Sequence, residues 1–121
     1  MLDSAMLVGG GVPTVLVVED PSICRFIRSA LAPRGYRVVL ASVQTACEIL
    51  RSEPNLVDLL ITNTPLDFCE FTTVALLYVA ACPDESSIQP FTQAMSLKKP
   101  FHPNSLCECV ERLIPSRRVA A

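Results

Sequence analysis

The stretch TVLVVED at residues 14–20 decides how this chain folds. Its four consecutive apolar residues, Val15–Val18, are typical of a strand that is covered on both faces, as in a parallel sheet. Asp20 and Pro21 then indicate the start of a helix, because aspartate caps helices and proline suits their first turn. The stretch therefore predicts a buried strand that runs directly into a helix, with Glu19 and Asp20 at the junction.

The same alternation of short apolar runs and helical patterns continues along the chain and is typical of a parallel α/β fold. Four further strands are predicted at residues 36–41, 57–62, 75–81 and 94–97. Helical periodicity predicts an inner face for the first helix that consists of Ile23, Phe26, Ile27, Ala30 and Leu31. A second helix is predicted after the capping residue Ser42, with Ala46, Ile49 and Leu50 inside. A last helix is predicted from Pro103, with Leu106, Cys109, Val110, Leu113 and Ile114 inside.

The composition fits one small domain. The chain has 121 residues, of which 50% are apolar, and this is enough for a single core. We assign residues 14–114 to that domain, residues 1–13 to a flexible leader and residues 115–121 to a C-terminal tail.

Charge and hydropathy exclude several classes of function. A formal net charge of −2 and a pI near 5.3 offer no basic surface for nucleic acid. The longest apolar runs have the length of strands and are too short to span a membrane. The first residues have neither the basic segment nor the long apolar run of a secretory signal. We therefore expect a cytoplasmic protein that binds neither nucleic acid nor membranes.

The six cysteines raise the question of a metal site or of disulfides; they stand at positions 24, 47, 69, 82, 107 and 109. No two of them have the Cys-x-x-Cys spacing of a zinc site, and the single histidine, His102, has no partner at ligand spacing. Free thiols are therefore the expectation for a cytosolic chain, several of them within apolar helical faces.

Three segments and their order along the chain indicate a known family: TVLVVED at 14–20, LLITNTP at 59–65 and LKKPF at 97–101. Together they resemble the receiver domain of bacterial two-component response regulators, over about residues 14–114. The resemblance implies a flavodoxin-like receiver fold, with a five-stranded parallel sheet of strand order 2-1-3-4-5 flanked by helices. In such an open sheet, ligands bind outside the carboxyl ends of the strands.

The resemblance makes the end of the third strand the central position. In the family this strand ends in an aspartate that accepts a phosphoryl group, and here the residue is Asn63. A carboxylate can attack phosphorus and form an acyl phosphate, whereas a neutral carboxamide cannot. The chain therefore resembles an atypical receiver whose phosphoacceptor is missing.

A weak Mg²⁺ site is the second implication of the resemblance. In the family an acidic pair and the acceptor aspartate hold the ion, and these positions are Glu19, Asp20 and Asn63 here. Mg²⁺ prefers carboxylate oxygens, so the amide of Asn63 predicts a low affinity. The alternative is that Asp20 is only a helix cap and Glu19 a solvated neighbour.

Lys99 matches the family lysine that pairs with the phosphoryl group and the acceptor carboxylate. With Asn63 uncharged, we expect Lys99 to neutralise Glu19 and Asp20 in a structural ion pair, which would contribute little if exposed. The alternative is a charged loop residue in front of a helix.

Two further working positions of the family are altered. The fourth strand of a receiver ends in a serine or threonine, and the alignment gives Ala80 there, which has no hydroxyl. The fifth strand has an aromatic residue that swings inward on activation, and Ser96 stands at that position. The loss of acceptor, hydroxyl and aromatic together predicts that the phosphorylation-driven switch is gone.

The connection between the third and fourth strands is unusually short. About a dozen residues separate Asn63 from the next strand, near the minimum for a parallel crossover. The helix that the family has here is expected to be shortened or absent, with at most two turns within residues 67–73. Either the sheet face is partly bare and available for docking, or Phe68, Phe71 and a repositioned fourth helix cover it.

Three functions follow from these residues. The first is a phosphorylation-independent interaction module of two-component signalling, not an enzyme, which binds a histidine kinase or another signalling protein, or forms a homodimer. The second is an active receiver phosphorylated on another aspartate, for which Asp58 and Asp67 are the weak candidates. The third is a small flavodoxin-like ligand-binding protein or enzyme, although no glycine-rich phosphate loop follows the first strand.

Overall fold

Five parallel strands form one sheet in the order β2-β1-β3-β4-β5, which confirms the predicted fold class. The structure is a computed structural model that describes residues 11–114. The strands are β1 (Thr14–Val18), β2 (Arg37–Leu40), β3 (Leu59–Thr62), β4 (Leu76–Ala80) and β5 (Ala94–Lys98). The helices are α1 (Pro21–Leu31), α2 (Val43–Ser52) and α3 (Pro103–Leu113). Most of the leader predicted at 1–13 and the whole tail predicted at 115–121 lie outside the described residues.

Local signals explain where several elements begin and end. The Ser42 hydroxyl accepts a hydrogen bond from the Thr45 amide, as predicted for the cap of α2. The imidazole of His102 caps α3 by accepting from the Asn104 amide. Gly35 stands before β2 with a φ of 96°, in the left-handed region that favours glycine. Asp20 occupies the N-cap position of α1, as predicted, but its side chain makes no capping hydrogen bond.

One face of the sheet packs against α1 and α3. The buried strand residues on this face include Val15, Val17, Leu59, Ile61, Leu77 and Val79. From α1 come Cys24, Ile27 and Leu31, and from α3 come Leu106, Cys107, Val110 and Leu113. One prediction for these helices is wrong, because Phe26 is 37% exposed. Cys109 packs against the core while half-buried, and the buried Cys107 was not predicted to lie there.

The second face packs against α2 and two short 3-10 turns. The β3–β4 turn is Pro65–Phe68 and the β4–β5 turn is Glu85–Ile88. Phe68 is completely buried on this face, and Ile88 and Phe91 are buried beside it. The expected loss of the helix after β3 is thus confirmed, while the bare sheet face is wrong because single aromatic and aliphatic side chains fill it.

The alternative of a repositioned fourth helix also requires correction. Between β4 and β5 the described chain has only the β4–β5 turn. Phe68 does cover the sheet as that alternative proposed, and Phe71 packs against the same cluster while half-buried. Beyond α2, coverage of this face therefore comes from turns instead of further helices.

The thiols are free, as the sequence predicts. All six cysteines are unpaired, with Cys24 and Cys107 buried and Cys69 and Cys82 exposed. Burial raises the pKa of the Cys109 thiol, and burial raises that of Cys47 against the opposing effect of the Arg51 charge. Within residues 11–114, no three His, Cys, Asp or Glu side chains are grouped closely enough to hold a metal ion.

Between residues 11 and 114, every helix is too short or too polar to cross a lipid bilayer.

Candidate functional site

The register of the parallel strands brings the implicated residues to one edge of the sheet. Val18 at the end of β1 pairs with Thr62 at the end of β3, and Ala80 at the end of β4 pairs with Lys98 at the end of β5. The residues directly after β1, β3 and β5 are Glu19, Asn63 and Lys99. They stand at the carboxyl edge, where open α/β sheets bind ligands.

Lys99 and Glu19 form an ion pair across this edge. The Lys99 Nζ lies 2.8 Å from the Glu19 Oε2, and the Glu19 side chain is fully buried while that of Lys99 is 22% exposed. Of the two carboxylates that Lys99 was expected to neutralise, Glu19 forms the ion pair, while Asp20 is exposed. The pair is buried, so the small contribution expected of an exposed pair does not apply. Glu19 as a solvated neighbour is also wrong.

Both carboxylate oxygens of Glu19 are in use. Its Oε1 accepts the backbone N–H of Asp20 at 2.9 Å. Its Oε2 has the Lys99 ammonium at ion-pair distance and no partner with the angles of a hydrogen bond. The charge of Glu19 is thus balanced mainly by one cation, because a buried carboxylate without a countercharge is strongly disfavoured.

Asn63 is half-buried immediately beyond β3. Its neighbours bracket it, since the Thr62 hydroxyl accepts the Thr64 amide at 3.1 Å and lies 3.3 Å from the Thr64 hydroxyl. These two threonines were not predicted to take part, although the pattern Thr-Asn-Thr is plain in the sequence. They fix the backbone around Asn63 and leave an uncharged carboxamide at the position implied for the acceptor.

The two positions matched to the family switch have other contacts. The carbonyl of Ala80 accepts the Lys99 amide at 2.8 Å, so the end of β4 holds the backbone of Lys99. The Ser96 hydroxyl donates a short hydrogen bond to the carboxylate of Glu85 in the β4–β5 turn. Tyr78 in β4 is also hydrogen-bonded to the segment before this turn, because its hydroxyl accepts the Asp84 amide at 3.3 Å. Ser96 therefore anchors the β4–β5 turn.

The other acidic candidates have separate positions. Asp58 accepts the Thr14 amide at 2.8 Å, at the amino end of β1, which agrees with its expected place at the opposite edge of the sheet. Asp67 is exposed in the β3–β4 turn, where its carbonyl accepts the Cys47 thiol at 3.8 Å. The Asp58 carboxylate is thus remote from Asn63 along the strand direction.

The fit of this edge to Mg²⁺ is poor. The ion prefers several oxygen ligands, mostly carboxylates and water, in octahedral geometry. Of the three positions implied for it, Asn63 is uncharged, Glu19 is buried against Lys99, and Asp20 is the exposed carboxylate. Weak Mg²⁺ binding therefore stays a prediction, and Lys99 supplies a positive charge at the carboxylate where a metal would bind.

An apolar groove opens beside Lys99. It has a volume of about 430 Å³ and is lined by Ile23, Phe26, Ala81, Lys99, Pro100 and Phe101. The rings of Phe26 and Phe101 meet edge to face with centroids 5.6 Å apart. This pairing explains why a phenylalanine predicted to be buried reaches the surface of α1.

A larger cavity of about 700 Å³ lies at the opposite, amino edge of the sheet. Asp58 and Glu70 line it together with Ile114. Glu70 is already paired with Arg51 at 2.9 Å, and Asp58 is bonded to Thr14. Its place at the amino ends of the strands separates it from the residues around Asn63.

Several solved structures share this fold. A two-component response regulator from Clostridium difficile is 17% identical, with a TM-score of 0.71 over 85% of this chain and 96% of that one. The chemotaxis response regulator CheY4 of Vibrio cholerae is 20% identical, with a TM-score of 0.70 over 86% of this chain and 100% of that one. The receiver domain from the hybrid histidine kinase CckA is 23% identical, with a TM-score of 0.68 over 84% of this chain and 98% of that one.

These likenesses establish the fold of the chain as the flavodoxin-like fold of response-regulator receiver domains. No protein-family model matches the sequence, and no curated protein matches it.

Proposed function

We propose that the chain is a receiver-like module of two-component signalling that acts by binding a partner and does not depend on phosphoryl transfer. The observation that carries this proposal is the carboxyl edge of the sheet, where Asn63 replaces the implied acceptor and the Lys99 ammonium lies against Glu19. An amide cannot form an acyl phosphate, and the lysine is held by a different carboxylate. The protein is accordingly a cytoplasmic signalling module without enzymatic activity.

The positions of Ala80 and Ser96 support the same function. A hydroxyl at the end of β4 would be needed to follow a phosphoryl group, and Ala80 has none. Ser96 is hydrogen-bonded to Glu85 and so ties β5 to the β4–β5 turn. This edge therefore lacks both the hydroxyl and the aromatic side chain by which the family switches between two surfaces.

The partner-binding surface that we propose is the apolar groove beside Lys99. Phe26 and Pro100 are exposed there beside the half-buried Phe101, and a contiguous apolar patch with charged residues at its rim marks an interaction surface. Lys99 lines the groove, and the adjacent residues Arg25 and Lys98 are exposed. The fitting occupant is a helix of a histidine kinase that presents an apolar stripe flanked by acidic side chains.

Binding tests this surface with two variants of equal exposure. The Phe26 side chain is 37% exposed and that of Leu56 is 38% exposed, so Leu56→Ala is a matched control for Phe26→Ala. In titrations with purified cytoplasmic domains of the histidine kinases of its source, followed by amide NMR shifts, we expect Phe26→Ala to weaken binding about tenfold or more. Leu56→Ala should bind like the wild type.

The same titration addresses phosphorylation. Adding a small phosphodonor with Mg²⁺ should leave the affinity of the wild-type chain for the kinase domain unchanged. If Phe26→Ala and Leu56→Ala bind equally well, the groove is not the partner-binding surface. If the affinity depends on the phosphodonor, the proposed function is wrong.

The other functions have less support. An active receiver requires another acceptor, yet Asp58 is bonded at the amino edge of the sheet. A homodimer through a bare sheet face loses its basis because Phe68 and Phe91 are buried on that face. Light scattering on the purified chain distinguishes a monomer from a homodimer that uses another surface.

A further inference from the structure

We propose that Lys99 is the resident cation of the carboxyl edge and that it balances the charge of Glu19 in place of a divalent metal ion. This goes beyond the proposed function, because a module that works without phosphorylation could still hold a metal. The proposal makes Lys99, as well as Asn63, responsible for the absence of a strong metal site.

The first argument is the burial of Glu19. Its side chain is fully buried, and a buried carboxylate requires a close countercharge. The Lys99 ammonium is 2.8 Å from Oε2, which has no hydrogen-bond partner among the described residues. The Lys99 ammonium therefore supplies the positive charge that a metal ion would otherwise supply to Glu19.

The second argument is the competition between two cations. A divalent ion at Glu19 Oε2 would stand within a few ångströms of the ammonium, and like charges at that separation repel strongly when partly buried. The remaining oxygen of Glu19 already accepts the Asp20 amide. A metal ion would therefore have to displace Lys99.

The third argument is that Lys99 is fixed in place. Its amide is bonded to the carbonyl of Ala80 at 2.8 Å, directly after the β5 residue Lys98 that pairs with Ala80. An aspartate after β3 would offer the ammonium a second carboxylate, but Asn63 offers an amide. Lys99 therefore stays with Glu19.

The charge count makes the proposal testable. Glu19 and Asp20 contribute two negative charges and Lys99 one positive charge, which leaves a net charge of one negative. Lys99→Met makes the edge one unit more negative without adding any ligand. Lys98→Met removes the same charge from the exposed neighbour and is the matched control.

The experiment is a Mn²⁺ titration followed by paramagnetic broadening of the amide NMR signals of Glu19, Asp20 and Asn63. We expect Lys99→Met to bind Mn²⁺ about tenfold or more tightly than the wild type, and Lys98→Met to bind as weakly as the wild type. Equal affinities for the two methionine variants would overturn the proposal.

The wild type supplies a test that does not require the Lys99 variant to fold. In wild-type protein, these three amide signals should broaden no more than other exposed amide signals up to about 1 mM Mn²⁺. Site-specific broadening below about 1 mM would overturn the proposal, because Lys99 would not be excluding the ion. That result leaves the proposed function standing, which fails only if the wild-type chain is phosphorylated or its binding depends on a phosphodonor.

Discussion

Phe68→Ala is expected to lower the free energy of unfolding by about 3–5 kcal/mol, the usual loss when a buried phenylalanine is truncated. Phe68 is completely buried in the β3–β4 turn, where it fills the sheet face that would otherwise be open. Its cluster includes the strand residues Leu60 and Leu76, which the sheet holds in place, so the cavity should close little and little of the loss should be recovered. Urea unfolding followed by circular dichroism measures the change.

The control for Phe68 comes from the same turn. Leu66 is 64% exposed, and Leu66→Ala should change stability by no more than about 0.5 kcal/mol. Similar losses for the two alanine variants would mean that Phe68 does not carry the coverage of this face. A loss of about 5 kcal/mol in Phe68→Ala would be a large part of the free energy of unfolding of a typical domain, which is about 5–15 kcal/mol.

Lys99→Met is expected to cost about 3 kcal/mol of folding free energy, because it leaves the carboxylate of Glu19 buried without its cation. Lys98 is exposed beside it, and Lys98→Met should change stability by no more than about 0.5 kcal/mol. Denaturant unfolding of the two variants at neutral pH and in the presence of a chelator gives the comparison.

A double substitution identifies the cause of that loss. If the unpaired charge is responsible, adding Glu19→Gln to Lys99→Met should recover a substantial part of the lost stability, since glutamine keeps an oxygen that can accept the Asp20 amide. A double variant no more stable than Lys99→Met alone would show that the ion pair does not account for the effect.

The elements could be predicted from sequence wherever the signal is local. The parallel α/β class follows from apolar runs alternating with helices, and the cap at Ser42 follows from the chemistry of a hydroxyl before a helix. The strand order, in contrast, comes from the resemblance to receiver domains. The coverage of the second sheet face could not be predicted, because Phe68 lies in a four-residue turn that has no periodicity. Helical spacing predicts Phe26 in the core, but spacing within one helix carries no information on its contact with Phe101, which is distant in sequence.

The residues of the site could be predicted from the sequence, but their burial and their hydrogen-bond partners could not. Glu19, Asn63 and Lys99 follow the ends of β1, β3 and β5 at one edge of the sheet, as their positions after apolar runs predict. The burial of Glu19 was missed because it depends on Lys99, which is far away in sequence. The bond from Ser96 to Glu85 was missed for the same reason, since no local pattern links a strand serine to a turn carboxylate.

The most direct measurement for the central claim is the intact mass of the chain after incubation with Mg²⁺ and acetyl phosphate, for the wild type beside Asn63→Asp. We expect the wild type to keep its mass and the variant to gain one phosphoryl group on residue 63, because the variant restores a carboxylate nucleophile after β3. A wild-type chain that gains a phosphoryl group would contradict the central claim, since another residue would then be serving as acceptor.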